Sequence, residues 1–527
     1  MFINKIKTQA LALFAMFCLG TSCVSDLDDV KLNPNQEFPS NVFKNAESYN
    51  QFLGKLYGGF ALTGQKGPTG DGDVHGIDEG FSSYVRGYWK LQELTTEEAV
   101  TNWGDDGIQD LHSHSWAASN PIINGIYQRI FNQIAFCNEF LRQSVDSKLS
   151  ERGITDKVVQ QYRAEARFLR ALCYYHAMDL FGNVPFATEA DPVGSFNPPQ
   201  IKRADLFKFI EKELKEIIAG EDLLSNSATA VNYGRADKRS ANALLAKLYL
   251  NAEVYTGTAK WNEASQAALT VIETLNAGFN DNYANLFKAD NDHAKGILFP
   301  VRFNGVETQT WGGTTFLIAA SIGGKMDPAD YGSDQKWGGL RTTSALVNKF
   351  SAGDNRAIFY TNGQSLEINN ISEFTEGYAV PKFVNKKSNG ENGTHKTFAD
   401  TDFPLCRLAD MYLTYAEAAV NGAGNKAKAV QLINKLRERA YGNANHGILV
   451  SDLTNDLILD ERARELYWEG YRRTDLIRHN KFTGGDYVWP WKGGVKAGKP
   501  TSDYMKLFPI PTSDLGANPN LVQNPGY

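Results

Sequence analysis

The chain has 527 residues, of which 42% are hydrophobic, 22% charged and 12% aromatic. This balance supports a large buried core and excludes a disordered, collagen-like or coiled-coil chain. Because 54 Lys and Arg face 60 Asp and Glu, for a net charge of -6, the chain lacks the basic field that holds nucleic acid, and we expect no nucleic-acid partner.

Residues 1–22 are typical of a secretory signal peptide. Two lysines precede the apolar run 10–19, which is too short to span a hydrocarbon core of ~30 Å. Small residues then lead to Cys23, as at a bacterial lipoprotein processing site, although Gly20 stands where an aliphatic residue is usual. We therefore predict a mature chain of residues 23–527 with lipid on Cys23; the alternative is an ordinary cleaved signal with an incidental cysteine.

Apolar residues recur at spacings of three and four in several later segments, the pattern of amphipathic helices. We predict helices, in chain order, at 158–180, 204–218, 238–255, 261–275, 407–420, 427–440 and 456–479. Short polar connections between them favour stacked helical hairpins of the tetratricopeptide type, although the full consensus of that repeat is absent. The helical frame is expected mainly at 120–280 and 405–480.

Two regions, 60–118 and 281–400, are rich in Gly, Asn, Asp, Ser and Thr and show little helical periodicity. They predict long loops with short strands such as 296–303. Long ordered loops on a helical frame usually carry the function. The cysteines left after processing, at positions 137, 173 and 406, lie in apolar contexts and predict buried free thiols.

Five sequence blocks, taken together, carry a resemblance to a known family. In order they are YRAEARFLRA running into FGNVPF (162–186), ADKRSANALLAKLYLNAEVYT (236–256), RLADMYLTYAEA (407–418), ERARELYWEGYRRTDLIRH (461–479) and the ending from FPIP to NPNLVQNPGY (508–527). Together they resemble the SusD/RagB family of surface lipoproteins from Bacteroidetes, and the similarity is closest to the starch-binding subgroup.

The resemblance implies a mainly α fold, a tetratricopeptide-like helical hairpin superhelix packed against a loop-rich glycan-binding part with few short strands. It also implies a non-catalytic protein, lipid-anchored through Cys23 on the outer membrane and exposed at the cell surface. Such a protein would bind oligo- or polysaccharide and deliver it to a SusC-type TonB-dependent outer-membrane transporter. No cofactor is required.

Sugars present an apolar face and a rim of hydroxyls, so a binder needs exposed rings together with carboxylates, amides or arginine. Two loops carry this combination, and the resemblance places the sugar-stacking arc and its polar partners there. The predicted glycan-binding residues are Trp103, Trp311, Arg86, Tyr88, Asp105 and Asp106.

The chain departs from the starch binders near Trp103. Thr101 stands where a second aromatic residue is expected, and Asp105 or Asp106 where an amide is expected. These changes put α-glucan specificity in doubt and leave another glycan as an alternative. The remaining tryptophans considered are expected to be core or loop anchors: Trp89, Trp116, Trp337, Trp489 and Trp491.

Two short acidic runs suggest a metal, because Ca²⁺ takes six to eight oxygens from flexible carboxylate loops. Some relatives carry a structural Ca²⁺ near the corresponding segments, so Asp292, Asp400 and Asp402 are candidate ligands. Neither run has the spacing of an EF-hand, and solvated turns and helix caps are the alternative.

Motifs of common enzymes are missing: the sequence has no His-Glu-x-x-His, Cys-x-x-Cys or Gly-x-Ser-x-Gly. A carboxylate pair for glycoside hydrolysis cannot be recognised among 60 acidic residues. A lipid-anchored glycoside hydrolase and a peptide-binding importer subunit therefore stand as alternatives to the glycan binder.

Overall fold

The computed structural model describes residues 42–70, 72–78, 80–194, 196–224, 232–274 and 278–527. The predicted signal peptide and lipidated Cys23 lie outside these ranges. Within them, no helix combines the length and the apolar character that crossing a bilayer requires.

Helices dominate the described chain. The longer ones are α1 (Ala46–Ala61), α2 (Tyr84–Glu93), α3 (Pro121–Gln143), α4 (Val158–Phe181), α5 (Arg203–Ala219), α6 (Lys238–Leu250), α7 (Trp261–Thr274), α8 (Gly313–Ser321), α9 (Leu408–Val420), α10 (Lys426–Tyr441), α11 (Asn455–Leu466) and α12 (Arg472–Arg478). Shorter helices lie at Gln109–Ser113, Asp146–Glu151, Ala252–Thr256, Ser344–Val347 and Thr512–Ala517.

Strands are few and short. They are β1 (Val100–Thr101), β2 (Val184–Pro185), β3 (Gln200–Ile201), β4 (Ile297–Val301), β5 (Leu340–Arg341) and β6 (Phe403–Arg407). They pair antiparallel as β1 with β5, β2 with β3 and β4 with β6. The β4–β6 pair connects the loop-rich middle of the chain to the C-terminal helices.

Successive helices pack against one another as hairpins, α3 on α4, α4 on α5, α5 on α6, α6 on α7, and α9 on α10 and α11. Local sequence sets their ends. The Asn120 side chain accepts from the N–H groups of Ile122 and Ile123 at the start of α3, and Gly182 ends α4 at φ 73°, a conformation that glycine adopts without strain. The mainly helical frame of stacked hairpins is confirmed.

A buried ion-pair network ties α11 to the rest of the molecule. Arg407 bonds to Glu465 at 3.0 Å and to Glu469 at 2.6 Å, and Arg356 bonds to Glu461 at 2.6 Å. Burial would raise the pKa of Glu465, but the surrounding arginines outweigh it and lower the value to about 2. These side chains are buried, so the charge-rich block 461–479 is largely a structural element.

The prediction of one helix over 456–479 is wrong, because the chain breaks between α11 and α12. Trp468 has φ 64° and Gly470 φ 82°. Glu93 accepts from the N–H groups of Gly470 and Tyr471, and Glu98 accepts from that of Trp468. Hydrogen bonds to buried carboxylates thus replace helical ones at this break.

The helix predicted over 238–255 is also divided, at Asn251, into α6 and the short helix 252–256. By contrast, the predicted free thiols are confirmed. Cys137, Cys173 and Cys406 are buried and unpaired with one another.

Candidate functional site

A cavity of about 980 Å³ opens where the loop-rich part meets the start of α3. Thr69 and residues 76–78 and 80–82 form one wall, and the first turns of α3 form the floor with Ile122 and Ile126. Trp311 and Trp337 form a second wall, which meets the first where Trp311 lies against Gly80, and the exposed Asp105 also lines the cavity. The cavity therefore lies where the two regions predicted to be loop-rich meet the helical frame.

Aromatic rings form a continuous row along this cavity. The ring centroids of Trp103 and Trp337 are 6.4 Å apart, those of Trp337 and Trp311 are 6.0 Å apart, and those of Trp311 and Phe398 are 4.9 Å apart. Trp103, Trp311 and Trp337 are each partly exposed. Trp103 lies at the end of the row, beyond the residues that line the cavity itself.

Glycines allow these rings to approach the backbone. Trp311 and Trp337 are each followed by two glycines, and Gly313 and Gly338 have φ of 53° and 58°, a region that favours glycine. A Cβ atom on Gly339 would lie 2.1 Å from Cε2 of Trp103. The absence of a side chain at Gly339 thus permits the ring to lie against the chain.

Arg86 connects the two walls. Its guanidinium donates to the carbonyl of Gly80 at 2.7 Å and to that of Trp311 at 3.0 Å. The guanidinium also lies 4.5 Å from the centroid of the Phe316 ring. Burial lowers the pKa of Arg86 to about 10, and the carboxylates of Asp105 and Asp78 act in the opposite direction. The side chain stays cationic at neutral pH.

A second cation, Lys90, lies one helical turn behind Arg86. Its Nζ is 3.2 Å from the centroid of the Phe81 ring, and it has no hydrogen-bond partner among the described residues. Burial, followed by the charge of Arg86, holds the pKa of Lys90 well below its usual value. Phe81 lines the cavity, so Lys90 supports its wall from behind.

The six predicted glycan-binding residues do not all lie at the cavity. Trp311, Arg86, Asp105 and Asp106 line the cavity, and the two aspartates are exposed. Tyr88 is 5% exposed, and its ring packs on His176 with centroids 4.2 Å apart. Its assignment as a glycan contact is corrected, because α2 turns Tyr88 into the core while it turns Arg86 toward the cavity.

Trp337 is the residue that sequence reasoning misassigned as an anchor. It lines the cavity between Trp103 and Trp311. The signal was present, because Trp337-Gly338-Gly339 repeats the pattern of Trp311-Gly312-Gly313. Trp89, Trp116 and Trp489 are core residues, as predicted, at 0%, 2% and 1% exposure. Trp491 is partly exposed and donates to the carbonyl of Ile368.

The predicted calcium ligands are not brought together as one set. Asp292 is exposed beside His293. Both carboxylate oxygens of Asp400 accept hydrogen bonds from Thr394 or Gly305. In the part of the chain that the structure describes, no group of three or more His, Cys, Asp or Glu is placed to hold a metal ion. A structural calcium ion stays a prediction.

Asp402 differs from an ordinary aspartate in its burial and in its pKa. It is buried, one of its oxygens accepts from the N–H of Phe303 at 2.7 Å, and burial raises its pKa to about 7. A carboxyl that is half-protonated near neutral pH is a weaker ligand for a cation than an ordinary aspartate.

The arrangement suits a neutral polar ligand with flat apolar faces. Rings stack on such faces, and the guanidinium and carboxylates reach the hydroxyl groups around them. The open mouth leaves room for the ends of a polymer to leave the cavity.

Comparisons with known proteins agree with this fold. A family model described as "SusD family" matches residues 305–527, and one described as "Starch-binding associating with outer membrane" matches residues 83–250. The starch-binding protein SusD of Bacteroides thetaiotaomicron is 34% identical over 571 aligned positions, covering 98% of this chain and 98% of that protein. The SusD-like protein P2 of Formosa agariphila is 25% identical, covering 80% and 85%.

Two solved structures share the architecture. Surface glycan-binding protein A from Bacteroides fluxus superimposes with a TM-score of 0.71 at 19% identity, covering 92% of this chain and 99% of that one. Surface glycan-binding protein A from Bacteroides thetaiotaomicron in complex with laminarihexaose gives 0.69 at 18% identity, covering 91% and 99%. At this identity the likeness shows the fold. Family models, a full-length relative and the fold agree, and the chain belongs to the SusD family.

Proposed function

We propose that this protein is a non-catalytic surface lipoprotein that binds oligo- or polysaccharide in the cavity and passes it to an outer-membrane importer. The observation that carries the proposal is the row of partly exposed tryptophans beside the buried cation of Arg86. Sugar rings stack on indole faces, and a preformed cavity holds them without ordering loops.

Starch-like α-glucan is the favoured ligand class. The full-length relative at 34% identity is named a starch-binding protein. Neighbouring rings in the row of Trp103, Trp337 and Trp311 are inclined to each other by 53° and 48°. Inclined rings suit a glucan whose successive sugar faces turn along a helix.

The proposed partner is a SusC-type TonB-dependent transporter in the outer membrane, with the protein anchored at the cell surface through lipid on Cys23. One acylated cysteine with several chains holds a protein firmly at a membrane. An open stacking site binds one oligosaccharide weakly, with dissociation constants in roughly the micromolar to millimolar range. Tethering beside the importer raises the effective concentration and offsets this weakness.

Native gels containing starch, pullulan, xylan, levan, mannan or pectin test the proposal. We expect starch and pullulan to retard the purified mature chain and Trp311→Ala/Trp337→Ala to lose the retardation. Each indole contributes roughly 1 to 2 kcal/mol, so we expect a fall in affinity of about tenfold per ring. Trp261→Ala, a change at a partly exposed tryptophan of α7, is the matched control and should bind normally.

Other outcomes select other functions. Retardation by a different polymer would support an importer subunit that binds another glycan. No retardation by any polymer contradicts glycan binding and favours a peptide ligand. New reducing ends during incubation with the bound polymer would instead indicate a glycoside hydrolase.

A further inference from the structure

A second groove, of about 730 Å³, lies beside the first cavity. Residues 76–78 of the loop line the first cavity, and the preceding residues 73–75 line the groove. Helix α3 contributes to both in the same way: Gly125 and Ile126 face the first, and Asn124 and Tyr127 face the second. One loop and one helix therefore form the boundary between the two.

The wall of the groove on α3 carries a ladder of amides. Asn124, Gln128 and Asn132 are four residues apart, so they repeat about every 6 Å along the helix axis, and each is partly exposed. Gln128 donates to Asn124 at 3.0 Å, and Asn132 donates to the carbonyl of Asp73 at 3.1 Å. Within the described ranges, Oε1 of Gln128 and Oδ1 of Asn132 have no protein partner.

Apolar rings accompany these amides. Phe131 and Phe196 are partly exposed in the groove, and Phe131 packs on Tyr127 with centroids 4.5 Å apart. Amides that have unused hydrogen-bonding capacity can bond sugar hydroxyls, and the partly exposed rings beside them can stack on sugar faces.

Both carboxylates of the groove have partners in the protein. Asp73 forms an ion pair with Lys55 at 2.5 Å, whereas Asp514 accepts a hydrogen bond from the neutral hydroxyl of Tyr127. Burial and the neighbouring Asp514 charge raise the pKa of that hydroxyl far above its usual value, so it stays protonated. A wall of hydrogen-bonded carboxylates and amides with unused capacity matches a neutral polar ligand rather than an anion.

We infer that the groove is a second glycan subsite, which takes the continuation of an oligosaccharide whose other end occupies the first cavity. The inference rests on the proposed function and deepens it. A chain that leaves the cavity crosses residues 73–78 and lies along the amide ladder of α3. Binding should then strengthen with chain length beyond what the first cavity alone can contact, because the second set of contacts is made without a second loss of translational freedom.

Isothermal titration calorimetry with maltotriose and with a soluble amylose of at least ten glucose units tests the inference; where native gels identify another polymer, its short and long oligosaccharides replace these. The variant is Gln128→Ala/Phe131→Ala, because neither side chain bonds to the loop 73–78. Gln266→Ala/Leu269→Ala on α7 is the control, with the same residue spacing on another helix.

The unchanged protein and the control should bind the long chain at least about tenfold more tightly than the short one. The groove variant should bind maltotriose as before and lose most of that gain. If the longer chain raises the affinity of the groove variant and of the control equally, the second subsite is contradicted, while binding in the first cavity is not. If neither chain binds and the gels also show no ligand, the proposed function itself fails.

A variant that keeps full binding of both chains but no longer copurifies with the transporter would also overturn the inference, because it would identify the groove as a protein-docking surface.

Discussion

Arginines are buried in both the helical frame and the cavity, but they have different partners. In the frame, Arg407 meets the carboxylates of Glu465 and Glu469. In the cavity, Arg86 donates to two backbone carbonyls, and the structure records no ion pair for it among the described residues. Removing one partner from a buried ion pair destabilises a fold, whereas Arg86, which forms no direct ion pair with a described residue and lies beside an open cavity, can interact with a ligand.

This comparison predicts that the largest effect on stability comes from a substitution in the helical frame. Arg407→Ala would leave Glu465 and Glu469 short of a partner in the core, and removal of one member of such a network destabilises a protein by about 3 to 5 kcal/mol. Urea unfolding followed by circular dichroism measures the loss. Lys208→Ala, which removes an exposed pair with Asp205, should leave the unfolding midpoint unchanged; equal effects would remove the distinction between buried and exposed pairs.

A smaller effect is expected in the cavity, on binding rather than folding. Arg86→Lys keeps the charge but replaces the guanidinium, whose Nη1 donates to both Gly80 and Trp311, by a shorter side chain with a compact ammonium group. Hydrogen bonds to charged groups contribute roughly 1.5 to 3 kcal/mol, so affinity for the retarding polymer should fall about 10- to 100-fold. Arg142→Lys is the matched control, because Arg142 also donates to two backbone carbonyls, those of Glu189 and Asp191.

For Arg86→Lys, calorimetry gives the affinity and circular dichroism the unfolding midpoint. A loss of folding without a loss of affinity in the folded fraction would show that Arg86 acts as the frame arginines do.

The most subtle prediction concerns pH. Burial raises the pKa of Glu93 to about 7, against about 4.3 in an unfolded chain. Between these values the folded state holds a proton that the unfolded state has lost, so stability falls as pH rises from about 4.5 to 7. Glu93→Gln still accepts from Gly470 and Tyr471 but cannot ionise, and the slope of unfolding free energy against pH should become shallower.

Glu97, which lies in the turn after α2, provides the contrast for this test. Burial opposes ionisation of Glu97, but the charge of Arg472 outweighs it and lowers the pKa below its usual value. Its stabilisation is present above about pH 4.3, so Glu97→Gln should lower the unfolding midpoint at both pH 5 and pH 8. Burial and the Glu93 charge also raise the pKa of the neighbouring Glu98, so an unchanged slope in Glu93→Gln would show that Glu93 is not the group that holds the proton.

The sequence predicts the frame better than the cavity, for a physical reason. Periodicity of 3.6 residues locates α4 within a residue of its observed bounds, because one face of that helix is buried along its length. The break near Trp468 is invisible to periodicity, since it depends on Glu93 and Glu98, more than 350 residues away.

Loops carry no period, so residue type alone has to identify the site. Trp311 and Arg86, which are predicted as glycan contacts, line the cavity, as does Trp337, which is expected to be an anchor. Residue type also misplaces Tyr88, because a tyrosine two positions from a cavity arginine on the same helix points elsewhere. Local sequence does not say which face of α2 the core will cover.

The clasp that Arg86 forms between Gly80 and Trp311 bears on the kinetics of capture. One side chain fixes the distance between the two walls before any ligand arrives, so no lid has to close after encounter. The observed rate of binding should then rise in proportion to glycan concentration without reaching a plateau, and release should be governed by how quickly sugar rings leave the indoles. A receptor of this kind exchanges its ligand rapidly, which is compatible with the proposed delivery of glycan to an importer.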